Sequence, residues 1–316
     1  MPLQSLERRI TLRTLYRAMR SDLRWHWLQG QELGERFLSG DPWADQDAGG
    51  AALVGFFNFI RPHAIQVLGR TELAYLEQSG DDIDQFFPPA LLALVIGERQ
   101  PVPNLLLEQL RQRNVALFVT HLGARHVLSR LQHYLYRVLA ARQLVHGVLV
   151  DVLGLGILLQ GEAGIGKSEL ALELVSRGHR LIADDSVLCI RTAPDVISGE
   201  CPPPLRNFLE VRGLGIINIR DLFGAAAIAR SKRVRLVVEI KRMDDTEMAD
   251  MDRLQGAVGH LDILDVLLPL LRLPVTPARN LAVLVEAAAR SQYLKESGVD
   301  MLADFDAQVR RAAAEE

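Results

Sequence analysis

The sequence predicts an α/β chain in two parts: a small N-terminal α/β domain over residues 1–142 and a second domain over residues 143–316. Three observations carry that expectation. Short β-rich runs alternate with longer helical ones, the pattern of a mostly parallel sheet covered by helices. The long amphipathic stretch ARHVLSRLQHYLYRVLAAR (124–142) makes a natural boundary. Beyond it, GEAGIGKSE (161–169) lies between a predicted strand and a predicted helix, where a phosphate-binding loop belongs.

Taken in order, the basic N-terminus places Ile10, Tyr16, Met19 and Leu23 close to helical spacing, with arginines between them. That reads as a solvated amphipathic helix, with a membrane-surface segment as the alternative. SGDPWADQDAGG (39–50) is loop-like, and IRPHAIQVLGRTEL reads as a Gly/Pro break. LLALVIG (91–97) and VALFVT (115–120) read as buried strands, and NLLLEQLRQRN (104–114) as the helix between them. In the second part, LVHGVLVDVLGLGILLQG (144–161) reads as two β-rich runs turning at Leu-Gly-Leu-Gly. KSELALELVSRG (167–178) continues as a helix closed by Gly178. HRLIAD (179–184) and RVRLVVEI (233–240) read as strands, and a helical C-terminal region begins near ARNLAVLVEAAAR.

Composition narrows the function. Of the 316 residues, 49% are hydrophobic and 24% charged, a globular balance. A net charge of −3 argues against a nucleic-acid partner, which would require a basic excess. The N-terminus has no continuous apolar run or small-residue cleavage site of a signal peptide, and no run approaches the length of a bilayer span. The expectation is a cytoplasmic protein with no membrane partner, its two cysteines, Cys189 and Cys201, kept as reduced thiols.

The chain uses thirty-two arginines and only four lysines, yet it places Lys167 between Gly166 and Ser168. Gly161-x4-Gly166-Lys167-Ser168 satisfies the P-loop pattern. Its glycines let backbone N–H groups converge on phosphate oxygens at the positive end of the following helix. The lysine supplies a compact, flexible charge where a planar guanidinium fits poorly. The segment Gly161, Glu162, Ala163, Gly164, Ile165, Gly166, Lys167 and Ser168 is therefore the candidate nucleotide site, with the Ser168 hydroxyl directed to Mg²⁺. Three further clues surround it. Asp184 and Asp185 end the strand after the P-loop helix, where carboxylates reach a metal or a nucleophile, or else are simply solvated turn residues. Glu210, in LEVRGLGIINI (209–219), is read as a buried or half-buried metal ligand beside glycine-permitted backbone, or as half of a charged pair on a helix end. His146, inside an apolar run, is either a satisfied core residue or a neighbour of the phosphate site.

In this order the clues resemble the bifunctional HPr kinase/phosphorylase family. The matching segments are HGVLVDV (146–152), GEAGIGKSE (161–169), GHRLIADD (178–185), LEVRGLGIIN (209–218), DRLQG (252–256) and PARNLAV (277–283), with IQVLGRTEL (65–73) in the N-terminal part. The resemblance implies a P-loop kinase domain similar to the phosphoenolpyruvate carboxykinase-like fold. It implies that Lys167 holds the β- and γ-phosphates of ATP, that Ser168 and Glu210 ligate Mg²⁺, and that His146 lies beside the transferred phosphate. Asp185 would be the base toward a serine of the phosphocarrier protein HPr. Protonated, it would be the acid when inorganic phosphate attacks phosphoserine and pyrophosphate forms. Arg253 and Arg279 match the family's catalytic arginines. Pyrophosphate is a possible alternative donor, and the implied assembly is a homohexamer.

The chain departs from the family pattern in LPVTPARN (273–280), where Thr276 replaces an arginine and Ala278 a glycine, and at Gln255, where glycine is common. Thr276 and Ala278 fall in the segment that the family associates with phosphorolysis, and the three changes barely touch the kinase assignment. Two other readings of the P-loop stand beside this one. One is a kinase for a small metabolite; the other is a nucleotide-dependent regulatory switch that transfers nothing.

Overall fold

The computed structural model describes residues 9–40, 52–56, 63–78, 87, 89–242, 257–275 and 280–299, with scattered positions beyond. The chain divides into two compact units, Leu6–Ala141 and Arg142–Glu316.

The N-terminal unit runs β1 (Arg9–Thr11), α1 (Leu12–Leu23), β2 (His26–Gln29), β3 (Phe37–Ser39), β4 (Ala52–Phe56), β5 (His63–Leu68), α2 (Arg70–Gln78), β6 (Ala93–Ile96), α3 (Asn104–Gln112), β7 (Ala116–Val119) and α4 (Ala124–Leu139). Its five-stranded sheet has the order β2-β7-β6-β5-β4. The pairs from β4 to β7 are parallel and β2 is antiparallel on the edge. The expected alternation over 91–142 is present, and one local reading is corrected. The segment read as a Gly/Pro break contains β5 and the start of α2. Proline and glycine mark the ends of the strand, but the six residues between them pair in the sheet, and four of them, Ile65 to Leu68, are buried. In α1, Leu12, Leu15, Met19 and Leu23 are buried in a core shared with Trp25 and Phe118, so that face is packed rather than lipid-seeking. Residues 41–50, most of the predicted loop, lie outside the described residues.

The second unit runs β8 (Arg142–His146), β9 (Val148–Val152), β10 (Leu155–Gly161), α5 (Lys167–Ser176), β11 (Arg180–Ala183), β12 (Ser186–Ala193), β13 (Val196–Glu200), β14 (Phe208–Val211), β15 (Gly215–Asn218), α6 (Ile219–Phe223), β16 (Ser231–Lys241), β17 (Ala257–Ile263), β18 (Val266–Pro274) and α7 (Leu281–Glu296). Nine strands form its main sheet, in the order β11-β9-β10-β16-β13-β12-β8, with β18 also on β16 and β17 on β18. Strand β16 belongs to two halves: its start pairs with β13 and its second half with β18. Alternate residues of β9 and β10 serve different cores. Val148, Val150, Ile157 and Leu159 pack with Leu170, Leu174 and Val285 from the helices. Leu149 and Leu158 face Val187, Cys189 and Ile197 from the other half of the sheet. Burial on both faces explains why these strands read as continuous apolar runs.

Two corners of the chain position the site. The run 144–152 does not continue as one strand, as the sequence suggests, but breaks at Gly147, sending β8 to β12 and β9 to β10 and β11. Gly147 has φ of 155°, and a Cβ there would lie 2.6 Å from the carbonyl oxygen of Leu159. Only glycine fits. The second corner, Asp184–Asp185, carries the chain from β11 to β12. The Gly147 N–H donates to the Asp185 carbonyl at 3.1 Å, tying the two corners together. His146 and Asp185 are neighbours for this reason.

Candidate functional site

The P-loop joins β10 to α5 at the carboxyl end of the strand, beside parallel β16. The chain turns there because Gly161, Gly164 and Gly166 have φ of 145°, 75° and 106°. At Gly161 a Cβ would press on the carbonyl of Ile240 in β16, so the residue also permits close strand packing. Ile165 points into the core below the helix, and Glu162 and Ala163 are exposed. The helix ends as the sequence suggests. Gly178, at φ of 93°, donates to Val175 and His179 donates to Leu174, a Schellman closure.

Lys167 is buried, and its Nζ donates to the carbonyls of Gly161 at 2.8 Å and Glu162 at 3.0 Å. The ammonium thus lies along the loop, in reach of a phosphate seated there. One pocket is lined by His146, Ala163, Gly164, Gly166, Lys167, Ser168, Asp184, Asp185, Glu210 and Arg212, among others. The Ser168 hydroxyl donates to Asp184 Oδ1 at 3.0 Å, and the Glu210 N–H donates to Asp184 Oδ2 at 2.9 Å. Asp184 therefore anchors both the start of α5 and the β14–β15 hairpin. Burial raises the Asp184 carboxyl above the ordinary carboxylate range, against the hydrogen bonds from Glu210, Ser168 and Asp185.

His146 Nδ1 lies 3.1 Å from Asp185 Oδ1, and the two side chains are 54% and 74% exposed. Asp185 adopts a left-handed backbone, φ of 61°, which aspartate tolerates and which turns its carboxylate outward. An acceptor carried on another macromolecule can reach both. His146 is thus not a core histidine; it sits at a strand end on the pocket rim. Glu210 is not buried, nor is it on a helix. It is exposed on β14, while Leu209 and Val211 on either side anchor the hairpin in the core.

Of the residues singled out in the sequence, His146, Lys167, Ser168, Asp185 and Glu210 meet in this pocket. Gly161 and Glu162 contribute carbonyls to Lys167 rather than lining it. Arg253, Gln255, Thr276, Ala278 and Arg279 lie outside the described residues. Sequence reasoning gave no role to Arg212, Glu169 or Val148 of this pocket, and left Asp184 between a carboxylate directed to a metal or nucleophile and a solvated turn residue. The donor set suits Mg²⁺, which takes one or two carboxylates and a hydroxyl and completes its shell with phosphate and water. Among the described residues no three of His, Cys, Asp and Glu close into a cage of their own. Cys189 and Cys201 are free and buried, their thiols pushed up by desolvation to about 12 and about 11. Neither is a nucleophile.

A glycine nest at a strand end, running into a helix and facing a lysine, a hydroxyl and carboxylates, defines a P-loop phosphoryl-transfer domain. Comparison with known proteins gives the family. The HPr Serine kinase N terminus matches residues 10–135, and the HPr Serine kinase C-terminal domain matches residues 137–309. The chain is 42% identical over 301 residues to the HPr kinase/phosphorylase of Chromobacterium violaceum, covering 94% of this chain and 93% of that one. It is 40% identical over 302 residues to the HPr kinase/phosphorylase of Xanthomonas campestris pv. campestris, covering 94% and 95%. A solved structure, the Hpr(Ser) kinase/phosphatase from Coxiella burnetii, matches 53% of this chain and 97% of its own at 31% identity, with a TM-score of 0.47. The chain belongs to the HPr serine kinase family and is a kinase/phosphorylase.

Proposed function

We propose that this protein transfers the γ-phosphoryl group of ATP to a serine of HPr, and that it runs the reverse phosphorolysis with inorganic phosphate. The observation that carries this reading is the tied pair of chain corners, which sets Asp185 and His146 3.1 Å apart on the open rim of the P-loop pocket. In the forward direction the HPr serine oxygen attacks the γ-phosphorus while Asp185 takes its proton. The bond to the β-phosphate oxygen breaks, and ADP leaves with the electron pair. His146 holds the Asp185 carboxylate toward the incoming hydroxyl. Lys167 and the N–H groups of residues 161–168 hold the β- and γ-phosphates. Ser168 and Glu210, with Asp184 behind them, would hold Mg²⁺, which when bound neutralises phosphate charge. In reverse, protonated Asp185 returns its proton to the serine as phosphate attacks, giving pyrophosphate. Arg253 and Arg279 are assigned to the transferring group by family resemblance, and pyrophosphate to the role of alternative donor. The proposed assembly is a homohexamer acting in the cytoplasm.

Incubation with labelled ATP, Mg²⁺ and HPr tests this reading. Label should appear on HPr, disappear when its acceptor serine is replaced by alanine, and return as pyrophosphate when phosphate is added. Nucleotide binding without labelled HPr would leave a regulatory switch instead. Open exposure of the base favours a protein acceptor over a small metabolite, which requires an enclosing cavity.

A further inference from the structure

The cap of helix α7, Asn280, is joined to the P-loop helix by a bond that the mechanism above does not use. Its side-chain carbonyl accepts from the Val283 N–H at 3.0 Å, while its amide donates to Glu173 Oε1 on α5 at 2.8 Å. Few cap residues can do both. Aspartate caps a helix equally well but has no proton for a carboxylate, and serine must place both bonds on one short oxygen. Asparagine separates them onto two atoms.

The bond adds little to what holds α7 in place. Ala282, Val285 and Ala289 are already buried in the core that receives Leu170 and Leu174 of α5, and Glu286 is paired with Arg177 and His179. Asn280 is exposed, where one more polar contact contributes little to stability. What the bond defines is the point where the chain enters the helix. Segment 276–279, just before it, also starts from a fixed point. The Val275 N–H donates to the Lys241 carbonyl at 3.0 Å, one step past the pairing of Lys241 with Pro274. On its other side β16 sets Ile240 opposite Gly161, the first residue of the P-loop. The segment with Arg279 therefore leaves the sheet with one strand between it and the P-loop. It ends at a residue bonded to the P-loop helix.

We propose that Glu173 is a positioning residue for phosphoryl transfer, fixing through Asn280 where the segment that carries Arg279 joins α7. This rests on the phosphoryl-transfer reading above, which assigns Arg279 to the transferring group. Arg279 immediately precedes Asn280 in the chain, so a displaced cap is a displaced arginine. A misplacement of about 1 Å arising far from the chemistry can cost on the order of a hundredfold in rate. Among the described residues the glycine nest and Lys167 make no bond to Glu173. The effect therefore falls on turnover and not on nucleotide affinity.

The test measures kinase and phosphorolysis rates, ATP affinity by calorimetry and melting temperature for the wild type and four variants. Glu173→Ala removes the bond and should lower kcat in both directions about tenfold, with ATP affinity and melting temperature near wild type. Glu173→Gln keeps an oxygen acceptor and should retain activity. Asn280→Asp keeps the cap but sets two carboxylates against each other, so it should lose more than Glu173→Ala. Combining it with Glu173→Gln, whose amide can donate to the carboxylate, should restore transfer. Rates for Glu173→Ala within about twofold of wild type overturn the proposal. So does a loss of rate matched by an equal loss of ATP affinity, the mark of a general structural defect. A double variant no more active than Asn280→Asp alone also overturns it, because Asn280 would then act independently of Glu173. If Asn280→Asp does not fold, Glu173→Ala against Glu173→Gln decides, and equal rates for the two overturn the proposal. Failure of the wild type itself to phosphorylate HPr would instead sink the reading on which this rests.

Discussion

At the scale of single residues, the choice of Lys167 in an arginine-rich chain has a geometric cause. Its ammonium reaches back along the loop to two carbonyls while almost wholly buried, a path that a planar, longer guanidinium cannot follow. Lys167→Arg keeps the charge, so its expected loss of transfer rate, on the order of a hundredfold, measures shape rather than electrostatics. A loss below tenfold in a kinase assay would show that charge alone suffices. Asp185 and Glu210 separate in the same way. Asp185→Asn keeps the outline at the rim and removes the base, so ATP should still bind while transfer fails in both directions. Glu210→Gln weakens a metal ligand, and its defect should recede as Mg²⁺ is raised. If both variants were rescued by metal, Asp185 would not be the base. The P-loop was fully legible in the sequence because its chemistry is local: glycine geometry, a lysine and a hydroxyl within eight residues. The approach of Arg212 to Gly164 was not, because it comes from a hairpin placed across the pocket, and nothing in its neighbours specifies that distance.

Among elements, those with their own punctuation were readable and those defined by partners were not. Helix α5 begins at the P-loop glycine and ends at Gly178, both visible in the sequence. Strands β12, β13 and β17 were not identified, since hairpin strands of mixed composition take their identity from pairing. The break at Gly147 was hidden inside an apolar run for the same reason: the cause is the Leu159 carbonyl, far along the chain. Helix α7 was expected, but its attachment to α5 was not. Glu286 accepts from Arg177 at 2.9 and 2.6 Å and meets His179 Nε2 at 2.9 Å, which holds its carboxyl down at about 2. Asn280, the cap of α7, also donates to Glu173 at 2.8 Å. Because the folded-state value lies below the ordinary 4.5, the carboxylate stabilises the fold above that pH and stops doing so as pH falls toward 2. Glu286→Gln should therefore lower the melting temperature at pH 7, and the gap from wild type should narrow as pH drops through that window. A gap constant across the titration would assign the effect to packing rather than charge.

At the scale of the whole molecule, every described residue lining the P-loop pocket comes from the second unit, as do both cores beneath it. The first unit has cores of its own, drawn from residues 10–139. Each unit is long enough for a single hydrophobic core to sustain it. The expected consequence is that residues 142–316, expressed alone, fold and bind ATP. Cooperative loss of structure in a urea titration, together with a dissociation constant within about threefold of the full chain, is the result this organisation demands. A fragment that unfolds without cooperativity would mean that the second unit's cores depend on the first. A fragment that folds but binds ATP much more weakly would mean that residues before 142 reach the nucleotide. The Glu286 ion pairs lie wholly inside the fragment, so its melting curve should carry the same acid sensitivity as the intact chain and lose it with Glu286→Gln.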